Sequence, residues 1–272
     1  MMTWFQGIVL GIVQGLTEFL PVSSSGHLIL VPKLFAWSDQ GLAFDTVLHG
    51  GTLIAVLWFF RADLVAILKG MISSDRPHRL RAQRLSLQII VAALPGLVVG
   101  YLLHTFLEKY DRVAWLVALD LAVWALVLWW ADRKAHVDGE NTVDPLEPVS
   151  WKQSIVIGCA QVLALLPGTS RSGMTITAGL FLGLSRARAA RFSFLLSIPV
   201  TAAAAGYGML QWIREPLPQT NTLVLLAGFV ASLLTGAWSI RFLLRFVSSH
   251  SYVPFVLYRL VLAALVVLLL VL

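Results

Sequence analysis

Two short polar stretches interrupt an otherwise apolar chain, and they hold the side chains that could do chemistry. The first reads Gln14-Gly-Leu-Thr-Glu18-Phe-Leu-Pro21-Val-Ser23-Ser24-Ser25-Gly26-His27, and the second reads Pro167-Gly-Thr-Ser170-Arg171-Ser172-Gly173-Met174-Thr175. Arg171 carries a planar fork of donors that matches a phosphate, and hydroxyls and backbone N–H groups at helix starts add more donors. Glu18 would repel a bound anion, and His27 is not needed to hold one. Both make sense for proton transfer, or for a cation that bridges carboxylate and phosphate. The set therefore favours phosphoryl chemistry over anion transport. A plainer reading competes: Glu18 and Arg171 form a buried pair that pins the stretches together, while Ser25 and Ser172 merely cap helices.

The two stretches are copies of one ancestral segment. The slide of 147 residues that takes Trp4 to Trp151 also takes Gln6 to Gln153, Gly11 to Gly158 and Gln14 to Gln161. It further aligns Ser23 with Ser170, Ser25 with Ser172 and Gly26 with Gly173. Shared hydrophobicity does not match Trp, Gln, Ser and Gly one by one, so the chain is internally duplicated. Glu18 and His27 occur only in the first copy and Arg171 only in the second.

The elements that position these residues are set by composition. The 272 residues are 58% hydrophobic and 12% charged, with a mean hydropathy of +0.82. That excludes an ordinary soluble domain and predicts an all-α polytopic membrane protein. The net charge of +6 does not argue for nucleic acid, because the basic residues lie between apolar segments, where they orient a membrane protein. The first fifteen residues lack Lys and Arg, so a cleaved leader is not expected. Cys159 has no cysteine to pair with and reads as a small packing residue.

Six spans are expected, near Leu42–Phe60, Leu85–Leu103, Val113–Trp130, Ala187–Ile213, Leu223–Ile240 and Tyr252–Leu272. Trp4–Phe35 and Lys152–Leu184 are each interrupted by Pro and hydroxyl residues, and they read as re-entrant helical hairpins. Arg61–Arg84 reads as a polar loop and His104–Arg112 as a turn. His78, His104, His136 and His250 fall in loops. Asp45 and His49, four apart, read as lining the mouth of the site or as hydrogen-bonded residues rather than ligands. This topology puts fourteen Lys and Arg on one side and only Lys33, Lys109, Arg112 and Arg214 on the other, with Arg171 and Arg259 inside. The termini then lie outside, and the repeats are inverted with their tips near the midplane. The whole chain, 1–272, reads as one integral membrane domain: repeat one over about 1–130, a linker over about 131–150 and repeat two over about 151–272. Gly7, Gly11 and Gly15 form a smooth stripe that permits close helix contact, including contact with a second copy in a homodimer.

The first polar stretch resembles the (Glu/Gln)-x-x-x-Glu motif and following segment of the undecaprenyl-diphosphate phosphatases, or bacitracin-resistance proteins. The second resembles their Pro-Gly-x-Ser-Arg-Ser-x-x-Thr motif. Phe192-Ser-Phe-Leu-Leu-Ser-Ile-Pro199 and Tyr252-Val-Pro-Phe-Val-Leu-Tyr258-Arg259 are similar to further segments, so the likeness runs nearly end to end. The resemblance implies hydrolysis of undecaprenyl diphosphate to undecaprenyl phosphate, the lipid carrier of cell-wall synthesis, with resistance to bacitracin. It implies a bacterial plasma (inner) membrane enzyme, a site open to the periplasmic face, and a divalent cation, Mg²⁺ or Ca²⁺. By position it implicates Glu18, Ser24, His27 and Arg171 in catalysis. It also implicates Gln14, Ser23, Ser170, Ser172, Thr175 and Arg259 in binding the substrate, with Glu18 as metal ligand. Gln14 stands where many relatives have Glu, which removes a second acidic ligand.

Ser24, His27 and water all remain open as the nucleophile, with His27 available to activate Ser24. Inverted repeats and broken helices also suit a transporter. If the Arg171 fork holds a diphosphate, Arg171→Lys should lower turnover on the order of a hundredfold with the fold retained. Phosphate release and gel filtration of that variant test this, and near-normal turnover would refute the clamp.

Overall fold

The computed structural model describes residues 2–108, 113–135, 144, 147–214 and 221–271. Lys109, Arg112 and His136 lie outside the described residues, as does the Arg214 side chain. Eleven α-helices are described: α1 (Trp4–Phe19), α2 (Ser24–Leu34), α3 (Gly41–Phe59), α4 (Arg61–Met71), α5 (Arg76–Glu108) and α6 (Ala114–Asp132), then α7 (Trp151–Gln161), α8 (Arg171–Phe181), α9 (Arg186–Arg214), α10 (Thr222–Val247) and α11 (Val253–Val271). A 3₁₀ turn, Val162–Leu165, extends α7. Helices α3, α5, α6, α9, α10 and α11 are long and apolar enough to cross a membrane. They are the six expected spans. The protein is an all-helical, multi-pass membrane protein.

The duplicated segments fold alike. Thr3 caps α1 in a reciprocal box with Gln6, and Ser150 caps α7 in the same box with Gln153. Each leading helix then breaks, and a second helix of 11 residues follows. Their packing is exchanged between halves: α1 lies along α10, and α7 lies along α5.

Glycine makes that exchange possible. A Cβ on Gly11 would collide with the Gly228 carbonyl of α10, and one on Gly158 would collide with the Ala92 carbonyl of α5. Gly7 and Gly15 also face α10, at Val224 and at Ser232 and Thr235. The stripe is therefore filled by the same chain and leaves no face there for a second copy. Elsewhere Asp132 ends α6 almost fully buried, accepting from Arg186 Nε (2.6 Å) and from the Tyr252 backbone N–H (3.0 Å). That knot joins α6, α9 and the start of α11.

Three expectations need correction. Arg61–Arg84 is helical except at 72–75, forming α4 and the start of α5, because its Ala, Leu, Arg and Lys residues favour helix. Asp75 helps start α5, accepting from the His78 N–H (3.3 Å), so His78 and His104 are helical rather than in loops. Cys159 is exposed on α7 instead of packed. A Gly11→Val variant should lose roughly 1–3 kcal/mol of stability through overpacking. Gly206→Val, whose Cβ meets nothing, serves as the control in thermal unfolding. Equal midpoints for the two variants would contradict the packing described.

Candidate functional site

Both breaks are built on a serine in an unusual conformation. Ser23 has φ 74° and ψ 94°, and Ser170 has φ 74° and ψ 110°. Residues with a side chain seldom adopt such angles, at about 1–3 kcal/mol each, so the surroundings must hold them. Part of the compensation is capping. The Gly26 N–H donates to Ser23 Oγ (3.3 Å), and the Gly173 N–H donates to Ser170 Oγ (3.1 Å). Ser23 and Ser170 are thus the caps, not Ser25 and Ser172. Those two reach across instead. Ser172 Oγ donates to the Leu20 carbonyl (2.9 Å), and the Gly168 N–H donates to Ser25 Oγ (3.5 Å), joining the two tips.

Beneath the tips lies Arg259 of α11, fully buried. Nε donates to the Leu121 carbonyl (3.2 Å) and Nη1 to that of Pro21 (3.4 Å). Nη2 faces the carbonyls of Asp120 (3.3 Å), Gly168 (3.2 Å) and Thr169 (3.0 Å). All three nitrogens are spent on backbone of the first tip, the second tip and α6. The resemblance implicated Arg259 in binding the substrate; here its guanidinium lies on backbone carbonyls and clamps the tips.

On the other side of the junction lies a charged cluster. Glu18 Oε1 accepts from Arg171 Nη2 at 2.6 Å. Its Oε2 accepts from Ser24 Oγ (2.6 Å) and Gln14 Nε2 (2.9 Å), with His49 Nε2 at 3.6 Å. Gln14 and Glu18 are buried, Ser24 and His49 are partly exposed, and Arg171 keeps a small exposed part beside them. Arg171 Nη1 is buried and has no acceptor among the described residues. A guanidinium with one nitrogen on a carboxylate and the other free is prepared for an incoming anion.

His27 stands aside from this cluster. Its Nδ1 contacts the Ser23 carbonyl (2.7 Å), which can only accept, so Nδ1 carries the hydrogen. In the neutral ring Nε2 then accepts from the Tyr258 hydroxyl (2.6 Å). Ser24 is thus paired with Glu18, and the serine–imidazole pairing weighed from sequence is not formed. Thr175 is also turned away, buried on the Arg171 carbonyl (2.9 Å) and Ser193 Oγ of α9 (2.7 Å). Gln161, the copy of Gln14, has no partner for either amide atom among the described residues, and Leu165 stands where Glu18 accepts from Gln14 Nε2.

A cleft of about 410 Å³ opens beside His49, lined among others by Asp45, Gly100, Leu165, Ala204 and Gly208. Ala204, Ala205 and Gly208 of α9 leave it room on one side. Three residues carry more weight in the structure than in the sequence reading: Tyr258, His49 and Asp120. Asp120 lends its carbonyl to Arg259, and its Oδ2 is buried without a partner among the described residues. A lone acid in the Val113–Trp130 run was the available signal, since a charge at bilayer depth costs roughly 2.5–3.5 kcal/mol.

Among the described residues no group of three His, Cys, Asp or Glu side chains could hold a metal ion. Both Glu18 oxygens face donors, one of them cationic. This donor set does not fit Mg²⁺ or Ca²⁺ bound directly to Glu18.

The family model for bacitracin resistance protein BacA matches residues 7–265. The "Undecaprenyl-diphosphatase 2" of Stutzerimonas stutzeri (strain A1501) is 46% identical over 266 residues, covering 97% of each chain. The "Undecaprenyl-diphosphatase" of Aliivibrio salmonicida (strain LFI1238) is 41% identical over 264 residues, covering 96% of each. With matches that run over nearly its whole length, the chain belongs to the bacitracin resistance protein BacA family.

Proposed function

We propose that the protein is a membrane-embedded phosphatase that hydrolyses undecaprenyl diphosphate to undecaprenyl phosphate and inorganic phosphate. The observation that carries this reading is the Glu18–Arg171 pair with Ser24 on the same carboxylate and Arg171 Nη1 left over. The named activity of the relatives above supports it.

In the proposed reaction the terminal phosphate docks on Arg171 and the α2 and α8 N-terminal turns, which offset charge on the transferring phosphoryl group. Ser24 Oγ attacks the terminal phosphorus and its proton passes to Glu18. The bond to the bridging oxygen breaks, and undecaprenyl phosphate leaves. Water then cleaves the phosphoserine, returning the proton to Ser24 and releasing phosphate. Gln14 and Arg171 hold Glu18 in place, and His27 with Tyr258 braces the Ser23 turn. No step is assigned to a cation on Glu18; the divalent cation implied by the resemblance is assigned to the diphosphate itself.

The tail occupies the cleft beside His49, because each buried CH₂ gains about 0.8 kcal/mol and the prenyl chain stays in the lipid. We place the protein in the inner membrane of a bacterium with the tips reached from the periplasmic face, following the asymmetry of basic residues. The two broken-helix units are then re-entrant and the repeats inverted.

Phosphate release by purified protein in detergent, where transport is impossible, separates the enzyme from a transporter of the same architecture. Ser24→Ala and Glu18→Gln should each lower turnover on the order of 10²–10⁴-fold. Acid-stable phosphate on wild-type protein and none on Ser24→Ala would support the serine; full turnover by Ser24→Ala would hand the attack to water. Arg259→Met should lower the thermal midpoint together with kcat, since each orphaned buried carbonyl costs about 1–3 kcal/mol. A raised KM at an unchanged midpoint would instead put Arg259 on the substrate.

A further inference from the structure

The far end of α10 carries a second organised surface that the reaction does not use. Trp238, Phe242, Phe246 and His250 recur every fourth residue and stack as a column. Successive ring centroids are 5.1, 5.6 and 4.7 Å apart, at interplanar angles of 7°, 25° and 16°. Phe255 of α11 packs edge-on against Phe246 at 5.5 Å and holds the column in place. Three residues further along the helix a parallel row begins, formed by Arg241, Arg245 and Ser249. The two rows line a cleft of about 490 Å³.

Both arginines are exposed, and among the described residues neither meets a carboxylate, although other arginines of the protein do. Trp238 is 56% exposed, at the end of the column that leads toward the middle of the span. Unpaired guanidiniums beside a bed of rings suit a molecule with an anionic head and an apolar body. A small soluble anion would leave the rings unused, and an apolar partner would strand two charges. We propose that this groove binds one anionic phospholipid of the surrounding bilayer. Its phosphate sits between Arg241 and Arg245, and an acyl chain lies along Phe242 and Trp238. Charges that merely orient a span in the membrane need no ordered groove beside them.

Native mass spectrometry of the detergent-purified protein, offered phosphatidylglycerol and phosphatidylcholine in equal amounts, tests the site. Wild type should retain phosphatidylglycerol preferentially. R241Q/R245Q should lose that preference by roughly tenfold or more, while R76Q/R84Q, an equal charge change on α5, should keep it. W238A/F242A retains both arginines and should hold the lipid more weakly, and gel filtration confirms that each variant is folded. Phosphate release in detergent should be the same in all of them. Undiminished phosphatidylglycerol retention by R241Q/R245Q would overturn the proposal, and so would an equal loss in R76Q/R84Q. Complete displacement of phosphatidylglycerol by equimolar polyprenyl monophosphate would overturn it in favour of a product site.

Discussion

Inside an apolar layer a broken helix leaves backbone carbonyls that water cannot reach, and each must find a donor within the protein. This protein breaks two helices and meets much of that need with one side chain. Arg259 supplies donors to Pro21 in the first tip, to Gly168 and Thr169 in the second, and to Asp120 and Leu121 on α6. Because the same guanidinium serves both tips, their separation is set, and Glu18 and Arg171 meet above it. The strained serine turns at Ser23 and Ser170 persist inside this frame. The Tyr258–His27 contact adds a second brace from the neighbouring position of α11.

Duplication supplied two equal scaffolds, and divergence at a few positions supplied the chemistry. The slide that pairs Ser23 with Ser170 also pairs Ser24 with Arg171, so the proposed nucleophile and the phosphate clamp occupy equivalent places in the two copies. Glu18 has Leu165 as its counterpart and His27 has Met174. One half keeps the acid and the other the base. Neither tip holds both signs of charge, so the site exists only where the halves touch. The exchanged packing of α1 on α10 and α7 on α5, tight enough to require Gly11 and Gly158, keeps the halves from separating.

Much of this was legible in the sequence because membrane apposition imposes strong rules. Six spans, two interrupted segments and the Glu18–Arg171 partnership follow from apolar length, Pro and hydroxyl placement, and the cost of buried charge. What escaped was partner choice. Gly7, Gly11 and Gly15 announce a close contact without saying whether it lies within the chain or between chains. Ser25 and Ser172 look like caps, but the caps are Ser23 and Ser170, two residues earlier, whose positive φ is invisible in composition. The buried Arg259 fits a phosphate and a cluster of carbonyls equally well until the backbone is seen. The Arg61–Arg84 segment misled because its charges suggested a loop, whereas its individual residues favour helix.

The central claim is that Glu18 and Arg171 act as one unit across the two tips. A double-mutant cycle on kcat/KM for phosphate release, with Glu18→Gln, Arg171→Gln and the pair, measures this directly. The account predicts strong non-additivity, with the double variant scarcely worse than either single one. Losses that simply multiply would mean that the two residues work independently, and the geometry described here would not be the one that turns over substrate.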